Sequence, residues 1–127
     1  MSENTENCIF CNIIQKRAKA KIVYEDDDFL AFEDARPVAP VHTLIISKTH
    51  IEDLTACEDT NILGGLLLTA NKVAKIKGVY DKGFKILINV KRKGGQTVFH
   101  LHIHLLGGMN LGHIMKALWL IAKGKIK

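Results

Sequence analysis

The apolar positions of the chain follow two periods. Between residues 60 and 77, Ile62, Leu63, Leu66, Leu67, Ala70, Val73 and Ala74 recur at i, i+3, i+4 and i+7, which predicts an amphipathic helix. Asp59 or Thr60 can cap its start, and Gly78 can close its end. Gly64-Gly65 within it costs about 1 kcal/mol per glycine against alanine, so the pair is expected to admit a close backbone neighbour. Elsewhere the period is two. Residues 21–25 and 29–34 alternate as strands around the acidic turn Asp26-Asp27-Asp28. Residues 42–47 predict a third strand, 84–90 a fourth and 97–106 a long fifth, while ARPVAP breaks regular structure with its two prolines. A short helix is expected over 8–17, from Ile9 with Ile13 and Phe10 with Ile14. Five strands, few helices and mostly short connections predict an α+β fold, an antiparallel sheet with helices on one face.

The length of 127 residues fits a single domain, 1–127, with a core over about 8–115 and a C-terminal tail over 116–127. A chain of this size buries a core without disulfides. The net charge of +5 favours anionic ligands such as nucleotides. With 6% aromatic residues, the sheet-surface aromatics of an RNA reader are not evident, so no nucleic-acid partner is expected. The start, MSENTENC, has no basic region followed by an apolar one, so no signal peptide is expected and a cytoplasmic location is. Residues 94–115 lack charged side chains, but they carry histidines and glycines and alternate with period two, which argues against a membrane span. The closing IMKALWLIAKGKIK is apolar and then basic. It reads as a helix docked on the body or a partner subunit, as a surface tail, or as an interfacial membrane helix.

Three cysteines do not make a disulfide framework. Cys57 reads as a small, semi-buried residue. Cys8 and Cys11 form C-x-x-C, which points to metal or redox use. A redox motif needs a thioredoxin-like context that is absent here, and one cysteine pair is half a zinc site, the alternative being two free thiols.

The fifth strand carries the densest chemistry. On a strand, Val98, His100, His102, His104 and Leu106 share one face. Thr97, Phe99, Leu101, Ile103 and Leu105 share the other, suited to packing on the 60–77 helix. Histidines two apart on a straight strand stand roughly 6.5 Å from one another. Three rings therefore diverge too far to meet easily on one metal, and divided labour is the better reading: one histidine joins a metal while another attacks a ligand. The loop before them supports an anion site. Lys91, Arg92 and Lys93 bring charge, Gly94-Gly95 lets backbone approach, and Gln96 and Thr97 offer donors.

GGQTVFHLHIHLL resembles the signature of the histidine triad (HIT) superfamily, His-φ-His-φ-His-φ-φ with φ apolar. CIFCNII, VYEDDDFLAFED, APVHTLIISKTHI and LLGG resemble its Hint branch, the purine nucleoside phosphoramidases of bacterial type, from Cys8 to about Met115. The resemblance implies a five-stranded sheet with a long helix on one face, extended across a homodimer. It implies cleavage of the P–N bond of purine nucleoside phosphoramidates through a nucleotidyl-histidine. His102 would be the nucleophile. His104 would bind the phosphate and help a proton reach the leaving nitrogen, with His42 near the same phosphate and His100 beside the catalytic row. Asp34 would accept bonds from the ribose, Phe32 and Ile22 would flank the base, and Asn89, Gly95, Gln96 and Thr97 would surround the phosphate. Relatives that keep the cysteine pair imply a structural zinc on Cys8, Cys11, His50 and His100, with no metal required for chemistry.

The chain departs from this pattern at its end. The W-P-P-G of many eukaryotic Hint proteins is missing, and ALWLIAKGKIK has no counterpart. Two rival readings are a dinucleoside polyphosphate hydrolase and a nucleotide-binding or protein-interaction module with weak turnover.

Overall fold

The computed structural model describes residues 5–124; residues 1–4 and the last three residues of the basic tail, 125–127, lie outside the described residues. The chain runs α1 (Ile9–Ile14), β1 (Ile22–Glu25), β2 (Phe29–Glu33), β3 (Val41–Ser47), α2 (Thr60–Ile76), β4 (Phe84–Leu87), β5 (His102–Gly107) and α3 (Leu111–Ala122). The strands form one antiparallel sheet in the order β1-β2-β3-β5-β4. Among the described residues no helix is long and apolar enough to cross a membrane.

The long helix follows its apolar period. Asp59 caps it, its carboxylate accepting from the amides of Asn61 at 2.8 Å and Ile62 at 3.3 Å. Leu66, Ala70, Val73 and Ala74 are buried against Ala31, Ile45, Ile103 and Leu105 on one face of the sheet. Burial of each large side chain contributes about 1.5–3 kcal/mol. The glycine pair admits a ring rather than a backbone. A Cβ on Gly65 would stand 2.3 Å from Cζ of Phe29, whereas one on Gly64 would meet nothing within 4 Å.

The opposite face is also covered, by the short first helix. Leu30, Phe32, Leu44 and Ile46 pack under α1 through Phe10 and Ile13. Beyond them, Leu106 is buried against Ile121 near the end of α3. The described part of the C-terminal segment is thus a helix docked on the body, with Ile121 buried in the contact and Leu120 packed beside it.

Among the predicted elements, the first helix and the fourth and fifth strands come out clearly shorter. The first helix ends at Ile14, because the chain reverses through Lys16 at φ 64°. The fourth strand stops at Leu87, whose partner across the ladder is His104. The fifth begins at His102 rather than 97. Opposite it, β3 pairs Ile46 with His102 and ends at Ser47, and the amide of Leu101 donates instead to the carbonyl of Ile51 at 2.7 Å. His100 therefore precedes the strand, where its side chain is not bound to the alternation of the sheet. Of the apolar alternates, Leu101, Ile103 and Leu105 join the core with α2. Thr97 is exposed, and Phe99 is half-buried with the Arg92 guanidinium 5.1 Å from its ring centre.

Candidate functional site

The histidine row does not face solvent. His100, His102 and His104 are all buried, at 0%, 1% and 0% exposure. The edges of Phe10, 5.8 Å from the His100 ring and 5.2 Å from the His102 ring, close it from the side of α1.

His100 joins the cysteine cluster. The ligand atoms of Cys8, Cys11, His50 and His100 all lie within 4.8 Å of one another. Cys8 Sγ is 3.3 Å from His100 Nδ1, Cys11 Sγ is 3.3 Å from His50 Nδ1 and 3.6 Å from His100 Nδ1, and the two Nδ1 atoms are 3.1 Å apart. Four ligands around a tetrahedral zinc, at bond lengths of about 2.3 Å for sulfur and 2.0–2.1 Å for nitrogen, stand roughly 3.3–3.8 Å apart. The donor set and spacing fit that ion. The far nitrogen of His100, Nε2, donates to the carbonyl of Ser47 at 2.8 Å. This leaves the lone pair on Nδ1, toward the cysteines, and fixes the ring as a metal-ligating histidine is fixed by its outer partner. Burial pushes the His100 imidazole down to about 4, and it stays neutral, as a ligand must be.

His102 is set the other way round. Its Nδ1 lies 2.7 Å from the carbonyl of His100. A carbonyl only accepts, so Nδ1 carries the hydrogen and Nε2 carries the lone pair. This is the tautomer a nucleophile requires.

His42, on β3, lies on the same face one step along. Leu44 pairs with His104 and His42 with Leu106, which makes His42 and His104 diagonal neighbours. His42 Nε2 is 3.0 Å from His104 Nδ1 and 3.4 Å from Asp34 Oδ2. The His42 Nδ1 accepts from the amide of Val38 at 3.2 Å, and Asp34 Oδ1 accepts from the amide of Arg36 at 2.8 Å. Asp34 is buried and lines a cavity of about 370 Å³ walled by Ile9, Phe10, Ile13, Phe32 and Leu44, with Lys19 and Lys21 at its side. Phe32 is one wall of this cavity. Ile22, 39% exposed, pairs with Phe32 across the first hairpin and is not among the cavity's walls.

The glycine loop lies beyond the start of β5. Gly95 takes φ 96°, and a Cβ there would stand 3.0 Å from the carbonyl oxygen of Ile121 and 3.6 Å from Asn89 Cγ. Asn89 is buried, and its Nδ2 has no hydrogen-bond partner among the described residues. A buried amide donor in that state is costly, by about 1–3 kcal/mol, and points to an acceptor that belongs there. Gln96 spends its side chain within the protein. Its Nε2 donates to the carbonyls of Glu52 at 2.9 Å and Val98 at 3.0 Å, and its Oε1 accepts from the Lys91 amide at 2.8 Å. It braces the loop, and only its backbone remains to serve an anion. Lys91, at φ 62°, reaches Asp53 at 3.0 Å.

The structure therefore gathers Cys8, Cys11, His50 and His100 in one group and Asp34, His42 and His104 in another, with His102 between them. It adds groups that no local pattern signals: the Phe10 edge, the Ser47 carbonyl, the Val38 amide and the Ile121 backbone. Each acts from a distant part of the chain or through main-chain atoms, which the residue letters do not encode.

Comparison with known proteins bears on the family and the fold. The profile of the HIT domain family matches residues 15–111. The purine nucleoside phosphoramidase of Escherichia coli (strain K12) is 39% identical over 112 residues, covering 87% of this chain and 94% of that protein. The crystal structure of a HIT family hydrolase from Legionella pneumophila Philadelphia 1 superposes with a TM-score of 0.80 at 43% identity, covering 83% of this chain and 96% of the other. A zinc-bound histidine triad family protein from Mycobacterium smegmatis gives a TM-score of 0.78 at 30% identity over 95% of this chain and 94% of its own.

Proposed function

From the premise that this chain belongs to the HIT domain family, we propose that it is a hydrolase of the Hint branch, cleaving the P–N bond of purine nucleoside 5'-phosphoramidates. The observation that carries this reading is His102, whose Nδ1 is held by the His100 carbonyl at 2.7 Å. That bond directs the lone pair of Nε2 away from the backbone. In the first step Nε2 attacks the α-phosphorus; an N–P bond forms as the P–N bond to the amine breaks, and the leaving nitrogen takes a proton from Nε2 of His104. In the second, water attacks the phosphorus and gives a proton back to His104, the bond from phosphorus to His102 breaks, and the nucleoside monophosphate leaves. His104 and His42 face the phosphate, where charge builds. Asn89 Nδ2 and the Gly95–Thr97 backbone supply donors on its other side. The cavity bounded by Phe32, Phe10 and Asp34 takes the nucleoside, its apolar walls against the base and the carboxylate toward the ribose hydroxyls.

Cys8, Cys11, His50 and His100 would hold one zinc. The ion would supply structural rigidity and no open coordination position. The likeness to a zinc-bound relative supports this. The strand β4 lies at the edge of the sheet, and a homodimer would continue the sheet there; sedimentation at micromolar concentration tests that assembly.

The test of function is AMP release from adenosine 5'-phosphoramidate by wild type and His102→Ala. Wild type should turn over, and the variant should lose roughly a thousandfold or more of the rate. Equal rates would refute the nucleophile assignment. A dinucleoside polyphosphate assayed alongside should be the poorer substrate.

A further inference from the structure

We propose that the backbone amide of Val38, acting through His42, fixes the tautomer of His104 and holds it as a neutral donor through Nε2. The inference deepens the functional reading above, in which His104 faces the phosphate, and adds a positioning group that is main chain rather than side chain.

Val38 N–H donates to His42 Nδ1 at 3.2 Å. A ring nitrogen that accepts an amide hydrogen carries the lone pair, so the hydrogen of neutral His42 resides on Nε2. That Nε2 faces two acceptors, His104 Nδ1 at 3.0 Å and Asp34 Oδ2 at 3.4 Å. The Arg36 amide holds the other oxygen of Asp34 at 2.8 Å and keeps the carboxylate in this orientation. Because His42 brings the hydrogen, His104 Nδ1 brings the lone pair, and the hydrogen of His104 is on Nε2. The order of donors along the chain is set at its start by a peptide N–H, a group that cannot reverse its role. A donor so fixed needs no reorganisation when negative charge develops on a phosphoryl oxygen beside it.

The same logic separates the two ligand clusters. Asp34, His42 and His104 bring their ligand atoms within 4.8 Å of one another, as the cysteine group does, so distance alone would allow a metal in each. The far ring nitrogens decide. His100 Nε2 meets an acceptor, the Ser47 carbonyl, which frees Nδ1 to bind a cation. His42 Nδ1 meets a donor, the Val38 amide, which puts hydrogen on Nε2 and denies it to a cation. One backbone group in each cluster thus assigns the first to metal and the second to a hydrogen-bonded chain.

Nitrogen NMR of the full chain, carrying 15N-labelled histidine and loaded with zinc, tests this directly through long-range ring correlations at neutral pH. His42 and His104 should both appear as Nε2–H tautomers. A His104 with hydrogen on Nδ1, or on both nitrogens, would overturn the proposal. Val38→Ala keeps the amide and should leave both patterns unchanged; a change there would count against it. Val38→Pro removes the amide and should mix the tautomers of both residues, and a folded Val38→Pro protein with wild-type patterns would refute it. If that variant does not fold, the wild-type and Val38→Ala spectra decide. The readout requires no turnover. Absence of phosphoramidate hydrolysis would therefore count against the functional reading while leaving the tautomer result to stand or fall alone.

Discussion

The Nδ1 atoms of His50 and His100 face each other at 3.1 Å, with the sulfurs of Cys8 and Cys11 beside them. The Ser47 carbonyl holds the hydrogen of His100 on its far side. Two sulfurs and two ring nitrogens converging on one point make a donor set that one zinc ion can bind, the thiols losing their protons to it.

Zinc should therefore copurify at about one equivalent per chain. Cys8→Ser/Cys11→Ser should lose it. Removing the ion forfeits about 4 kcal/mol where free zinc exceeds its Kd a thousandfold, which lowers Tm by on the order of 10–20 °C. Metal analysis and a melt with and without chelator check this; a metal-free wild type of unchanged Tm would exclude the site.

Gly65→Ala should destabilise the fold by about 1–3 kcal/mol, because the added methyl would stand 2.3 Å from the Phe29 ring. Gly64→Ala, with open space around it, should be neutral or stabilising by up to about 1 kcal/mol. Denaturant unfolding of the two variants should separate them, and equal midpoints would contradict the packing.

Gly95→Ala should strike the loop proposed to hold the phosphate. A side chain at φ 96° is strained, and its Cβ would press on the Ile121 carbonyl at 3.0 Å. A loop displaced by about 1 Å costs on the order of a hundredfold in rate. Turnover of adenosine 5'-phosphoramidate should fall accordingly, with a drop in Tm. Wild-type values for both would show that the loop does not need a glycine.

Asp53 should shape the acid limb of stability. The Thr55 hydroxyl first, and the Lys91 ammonium second, hold its carboxyl below the ordinary value. Its folded value lies below its unfolded one, so the stabilisation is present above an unfolded value of about 3.9. It is lost as the pH falls through the folded value. Asp53→Asn should lower Tm at pH 7 and flatten the decline below about pH 4. Parallel melts from pH 2 to 7 test this; superimposable curves would refute it.

The sequence disclosed most where chemistry and periodicity are local. The helix at 60–76 follows its apolar stripe and its Asp59 cap within a residue. The alternation of Ile103 and Leu105 with His102 and His104 places core and site on opposite faces, as read. What stayed hidden depends on the partner of a group. The start of β5 was misplaced because pairing ends where β3 ends, at Ser47, and the apolar letters of 97–101 continue regardless. Gln96 looked like a ligand donor because nothing nearby shows that Glu52 and Val98 carbonyls consume its amide. His50 entered only through resemblance, since a histidine 39 residues from Cys11 has no local pattern tying it to that thiol. The apolar C-terminal segment was equally readable as helix or tail until Ile121 found Leu106.

His100 is two reagents in one residue. Its ring serves the cysteines, while its carbonyl serves His102. Every amino acid supplies the carbonyl, and only histidine supplies that ring. Substitution at this position therefore separates the two duties: a replacement abolishes the ring's contribution and leaves the hydrogen bond that orients the nucleophile available. On the proposed reading, a chain could surrender zinc here and keep its chemistry, and the first histidine of the row is the one whose loss the proposed reaction best survives.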